Sequence, residues 1–349
     1  MSKGMFYKWL LLAFTLSIAL MLAACGGGAA QPEPAAEPAQ QEEAAPVEEA
    51  AEAPAEEAAP SGDKPTIRLA ENPWSGSQVN VAVAKVLLEE EMGFPVEIVT
   101  IDENAQWPAL AGDDLDASLE VWPSGHADNV AQYIDDQGVV ENAGLLGPVG
   151  VIGWFMPAYM LDQNPALATW EGFTDPAAAE LFSTAETGGK GQFLAGDPSW
   201  VQYDADIINN LGLDFEVVVA GSEEAILAQL DSANSRQEPL LFYFWTPHSV
   251  HAKYELIQVE LPAYSDECYA KTNSGGVDCS YPSDDLFKIV AADLDERAPE
   301  ADQFLHSFNY TTQDQIEMIA AVELDGKSPE EAARAWIEGH EDTWRAWLP

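Results

Sequence analysis

Four tryptophans in this chain stand where a core residue has little reason to be. Trp74, Trp122, Trp200 and Trp245 each follow a stretch that reads as a β-strand. Each sits in or beside a turn containing Pro or Gly: Asn72-Pro73-Trp74-Ser75-Gly76, Trp122-Pro123-Ser124-Gly125, Gly196-Asp197-Pro198-Ser199-Trp200 and Trp245-Thr246-Pro247. Core tryptophans fall within helices or strands at the period of the element. These fall at loops that an open α/β sheet gathers into one cleft at the carboxyl ends of its strands. An indole face attracts a cation by about 2 kcal/mol when the contact is desolvated. Three or four such faces supply much of the roughly −8 kcal/mol that a micromolar complex requires. A trimethylammonium group donates no strong hydrogen bond and is cheaply desolvated, so an aromatic box suits it better than carboxylates would.

Other residue types invite other chemistry and carry it less well. His248 and His251 have a spacing that could present two metal ligands on one helical turn, but no nearby Cys or third His completes a site. Packing or surface roles are the better reading for both. Asp113, Asp114 and Asp116 suggest acid–base work, yet they lie in a polar turn without a partner motif and read as solvated surface. Trp336, Trp344 and Trp347 share a helical face and form a core stripe. Trp107, Trp154 and Trp170 have no turn context and also read as core. The chain is therefore expected to be non-enzymatic, with no cofactor and no metal.

The elements that must position the four tryptophans alternate. Strands are expected at 66–69, 96–101 and 117–121, with a nearly all-apolar run at 149–156 suited to a strand buried on both faces. A helix with Val79, Val83, Val86 and Leu87 on one face runs until Gly93, and another starts near Ala127. The alternation restarts with strands at 192–195, 215–219 and 240–244, a helix directly after Trp200 and another around 223–230. A last strand at 287–291 precedes closing helices, one opened by the capping box Ser328-Pro329-Glu330-Glu331. This pattern is α/β with two lobes and a ligand cleft between them. The expected lobes are 64–147 with 262–349, and 148–261.

The ends and the composition set the compartment. Lys3 and Lys8 precede an apolar stretch at 9–24, shorter than the roughly 20 residues a membrane-spanning helix needs. It closes on Leu22-Ala23-Ala24-Cys25, which resembles the lipobox of bacterial lipoproteins. Residues 1–24 are thus expected to be a signal peptide, with Cys25 carrying the lipid. Residues 25–63, nearly all Gly, Ala, Pro, Glu and Gln, read as an acidic tether that cannot bury enough apolar surface to fold. The formal net charge of −46 makes nucleic acid an improbable partner and favours cationic ligands; adaptation to salty surroundings is the other reading of the same charge. In an oxidising compartment Cys268 and Cys279 are expected to pair, closing a short loop that contributes ~2–3 kcal/mol.

The segments 120–126 (Glu120-Val121-Trp122-Pro123-Ser124-Gly125-His126), 196–200 and 242–247 (Phe242-Tyr243-Phe244-Trp245-Thr246-Pro247) together resemble the substrate-binding proteins of osmoprotectant ABC importers, the ProX/OpuAC type. The resemblance covers nearly all of 65–349. It implies a type II periplasmic-binding-protein fold, in which Trp122, Trp200 and Trp245 box a quaternary ammonium. It also implies that His126 and the backbone N–H groups of Val201 and Gln202, at a helix N-terminus, hold the ligand carboxylate. Trp74 is expected as a fourth wall, and Tyr281 as a side chain closing over the ligand. Glycine betaine is the expected solute, with choline or carnitine as the alternative and an extracellular hydrolase as a rival class. Partners implied are an ABC permease and ATPase, with a monomer held by its lipid at the outer face of the cytoplasmic membrane, or periplasmic.

Overall fold

The structure, a computed structural model, describes residues 64–349. The expected signal peptide, Cys25 and the tether lie outside the described residues. The strands are β1 (Ile67–Glu71), β2 (Val96–Thr100), β3 (Ala117–Val121), β4 (Val140–Pro157), β5 (Gly191–Ala195), β6 (Phe215–Val219), β7 (Phe242–Thr246), β8 (Leu256–Gln258) and β9 (Ser283–Ala291). They form one nine-stranded sheet in the order β2-β1-β3-β9-β4-β7-β5-β6, with β8 added to β4.

The sheet has two parallel ends and an antiparallel middle. At one end β1 pairs parallel with both β2 and β3. At the other β5 pairs parallel with β6 and β7. Between them β4 and β9 run antiparallel to each other, β9 antiparallel to β3, and β4 antiparallel to β7. Parallel strands need crossover connections, which here are helices such as Ser75–Glu90 and Glu223–Arg236. The described residues thus build two α/β ends joined by two long antiparallel strands.

Local chemistry sets the helix starts. Ser222 accepts from the Ala225 N–H, and Thr311 with Asp314 forms a capping box. The expected box of Ser328 and Glu331 is present, with Pro329 in the first turn. Trp336, Trp344 and Trp347 are all buried, and Trp336 stacks on Trp347 at 5.8 Å. Trp107 and Trp154 are fully buried, Trp170 only partly. Cys268 and Cys279 form the expected disulfide. Among the described residues no helix is long and apolar enough to cross a membrane.

Four expectations are corrected by tertiary context. β4 starts at Val140, well before the apolar run, because its first half has buried and exposed residues interspersed and is registered on β9 through two shifts. Trp245 lies inside β7, opposite Ile152 of β4, and not in the turn after it; the apolar run simply continues to Thr246. The helix after Trp200 begins only at Asp204, because the Val201 N–H goes to the Glu103 carboxylate and the Tyr203 N–H to the Tyr281 hydroxyl. Asp116 is fully buried, in ion pairs with Arg68 (3.0 Å) and Arg297 (2.8 Å). Burial pushes its carboxyl up, but these guanidinium contacts outweigh that and hold it below the ordinary carboxylate value.

Candidate binding site

Three of the four tryptophans are fixed by their own turns, and Trp245 by its strand pairing. The Asn72 N–H donates to Ser77 Oγ at 2.9 Å, and the Asn72 amide donates to the Ile101 carbonyl at 3.1 Å, tying the Trp74 turn to the residue after β2. After β3, Asp284 of β9 accepts both the Ser124 N–H (3.0 Å) and the Ser124 hydroxyl (2.7 Å), pinning the turn behind Trp122. Asp197 accepts the Ser199 N–H at 2.8 Å and its hydroxyl at 2.7 Å, an Asx-type turn. Gln202 closes the same loop, its Oε1 accepting the Gly196 N–H at 2.9 Å and its Nε2 donating to the Asp197 carbonyl at 2.8 Å. Two glycines make room for the rings. A Cβ at Gly150 would lie 2.2 Å from Trp122, and one at Gly196 2.3 Å from Trp200.

The four rings converge. Trp74, Trp122, Trp200 and Trp245 line one cavity with about 470 Å³ of empty space, its mouth included, together with Tyr203, Tyr243, Tyr281 and Glu103. Trp200 is the hub. It meets Trp74 edge-on at 6.2 Å, Trp245 edge-on at 5.1 Å and Tyr243 at 6.1 Å. All four tryptophans are under 10 % exposed. Among the described residues no lysine or arginine lines the cavity.

Carboxylates surround the box. Glu120 Oε1 accepts the indole N–H of Trp74 at 2.8 Å and that of Trp122 at 3.0 Å, while Oε2 accepts from Asn80 and Gln315. One carboxylate therefore sets the tilt of two walls. Burial pushes its pKa up, and the four donors pull it back in part. Behind Tyr281, whose hydroxyl accepts from the Tyr203 N–H, Asp204 accepts from Trp154 at 2.6 Å and from Tyr281 at 3.1 Å. Burial raises Asp204 to about 7.

Of the expected anion-binding residues Val201 lines the cavity, and both it and His126 bond within the chain. His126 is 1 % exposed and does not line the cavity. It makes no helix-capping bond, and its Nε2 lies 3.1 Å from Glu103 Oε2. Glu103 Oε1 accepts the Val201 N–H. Val201 and Gln202 precede the helix at Asp204 and do not form its N-terminus. His248, by contrast, packs against Glu223 and Ser75 within the protein. Sequence reasoning assigned no role to Glu103, Glu120, Tyr203 or Tyr243. Glu120 carried a signal, a lone charge in the wholly buried strand Ala117–Val121. Glu103 carried none, being one acid among 60.

An α/β chain whose two sheet ends contribute turns to one aromatic-walled cavity is built as a solute-binding protein. Residues 65–339 match the family described as the substrate binding domain of ABC-type glycine betaine transport systems; the chain belongs to that family. It is 28 % identical over 296 residues to the trimethylamine N-oxide-binding protein of Pelagibacter ubique (strain HTCC1062), spanning 82 % of this chain and 91 % of that one. Among solved structures, lactococcal OpuAC in its closed, glycine betaine-liganded form superposes with a TM-score of 0.65 at 23 % identity, covering 82 % of this chain and all of that one. An ABC-transporter choline binding protein in complex with choline does so with a TM-score of 0.64 at 21 % identity, over 81 % of this chain and 92 % of that one. The fold is that of the type II periplasmic binding proteins.

Proposed function

We propose that this chain captures a small solute with a trimethylated ammonium head, of the glycine betaine and choline class, and delivers it to an ABC permease and ATPase. The observation that carries the reading is the convergence of four tryptophans from four separate strand ends on one cavity without a cation of its own. Cation–π attraction to Trp74, Trp122, Trp200 and Trp245 supplies the affinity, and the buried carboxylate of Glu120 adds negative potential behind two of the rings. The relatives' solutes, trimethylamine N-oxide, glycine betaine and choline, share this head group. Carnitine belongs to the same set of candidates.

The wider reading places the lobes at 64–147 with 262–349, and at 148–261, closing on the solute by hinge motion. Residues 1–24 then act as the export signal, and a lipid on Cys25 holds the chain at the outer face of the membrane as a monomer. Tyr281 serves as a supporting wall. Titration calorimetry with glycine betaine, choline and trimethylamine N-oxide tests the central claim. Micromolar binding of at least one is expected, with a loss of about 100-fold in Trp122→Ala or Trp200→Ala, as two or three desolvated contacts weaken together. Absence of heat with all three overturns it.

A further inference from the structure

Glu103 occupies the place the sequence offered to the solute's own carboxylate. Its side chain lines the cavity and is 6 % exposed. One oxygen accepts the Val201 N–H and the other meets His126 Nε2 at 3.1 Å. With the Asn129 amide nitrogen on His126 Nδ1 at 3.1 Å, Nε2 is the nitrogen that carries the proton, and it donates to Glu103. Two of the three donors that the sequence offers to an anion, His126 and the Val201 N–H, are therefore already held by a carboxylate of the chain. Nor is Glu103 a mobile surface acid. Its turn is fixed by Asp102 Oδ1, which accepts the N–H groups of Asn104 and Ala105 at 2.9 Å each.

We infer that Glu103 sets the specificity of the box as a built-in carboxylate, so that the solute is a trimethylated head group carrying no carboxylate of its own. The inference rests on the tryptophan-box reading and narrows it. A carboxylated solute meets a like charge where its donors should be, in an aromatic-walled cavity that makes such a clash costly. A carboxylate-free solute instead leaves Glu103 in place as the counter-charge of the ammonium. Any remaining solute oxygen, hydroxyl or N-oxide, has donors at hand. The hydroxyls of Tyr203 and Tyr243 belong to cavity-lining side chains, and no hydrogen bond engages either one among the described residues.

Calorimetric titration of the purified chain, and of Glu103→Ala, Glu103→Gln and Trp122→Ala, with choline, trimethylamine N-oxide and glycine betaine tests this. The wild type is expected to bind choline or trimethylamine N-oxide at least about tenfold more tightly than glycine betaine. Glu103→Ala frees His126 and the Val201 N–H, and glycine betaine is expected to gain about tenfold while choline loses a similar factor. Should Glu103→Ala fail to fold, the isosteric Glu103→Gln, checked by circular dichroism, must still narrow the gap. Glycine betaine as the tightest wild-type ligand, or an unchanged ranking in the Glu103 variants, overturns the inference. The box itself survives that result if Trp122→Ala still loses all three solutes. Absence of binding by the wild type to any of them overturns both.

Discussion

Glu120, Asp204 and Asp284 are carboxyls taken out of water near the box, and burial raises all three. Asp284 is raised to about 6, and Asp204 rises from 3.8 to about 7. Such groups bind a proton more tightly in the folded chain than in the unfolded one. For Asp284 and Asp204 the contribution to stability is therefore fully present below the ordinary carboxylate value and is lost as pH rises through 6 to 7. Asp204→Asn keeps the oxygen that accepts from Trp154 and Tyr281 and removes the titration, while replacing a buried Oδ2 that has no partner. Unfolding free energies measured from pH 4 to pH 7 should fall less steeply in this variant than in the parent. The difference is at most about 4 kcal/mol across the window. An unchanged slope would show that Asp204 does not titrate there.

At the scale of elements, the middle of the sheet is tied to the helices beside it through single side chains. Lys288 of β9 is fully buried. Its ammonium donates to the carbonyls of Leu305 (2.8 Å), His306 (3.1 Å) and Phe308, at the end of the helix Pro299–Ser307. Three donors meet three carbonyls where the helix dipole favours a cation, while burial pulls the ammonium pKa down to about 7. Lys288→Ala leaves these carbonyls without partners and opens a cavity. It should cost ~3 kcal/mol in denaturant unfolding at pH 6, where the ammonium is charged. A loss under about 0.5 kcal/mol, the size of an ordinary surface substitution, would mean that water replaces the lysine.

Across the whole molecule, the two ends of the sheet are clasped at one buried point beside the box. Ser75, directly after Trp74, donates its N–H to Glu223 Oε2 at 2.8 Å and its hydroxyl to Glu223 Oε1 at 2.7 Å. His248 meets the same Oε1 at 2.6 Å. Ser75 follows β1, whereas Glu223 follows β6 and His248 follows β7; all three are no more than 2 % exposed. The carboxylate thus caps the helix Ser75–Glu90 from the opposite end of the sheet. If the box closes by bringing these ends together, Glu223→Ala should speed solute release about tenfold and change capture much less, since most affinity changes reside in the off-rate. Stopped-flow tryptophan fluorescence separates the two rates. Equal effects on both, or none, would remove the clasp from the closing step.

The sequence by itself determined the alternation of elements, the capping box at Ser328, the disulfide and the four tryptophans at strand ends, because each depends on local periodicity or on a residue type with one dominant use. Trp74, Trp122 and Trp200 could be placed at turns from Pro and Gly alone. Trp245 could not be placed so accurately, since whether a strand ends before or after an aromatic depends on its partner, here Ile152. The long first half of β4 was hidden for the same reason, its residues becoming a strand only through β9. Asp116 looked solvated until Arg68 and Arg297 met it from 48 residues before and from the far end of the chain. Above all, only tertiary structure could bring Glu103 to His126 and Val201. A carboxylate's role is decided by which donors it reaches, and those lie on separate segments that are joined only when the two ends of the sheet come together.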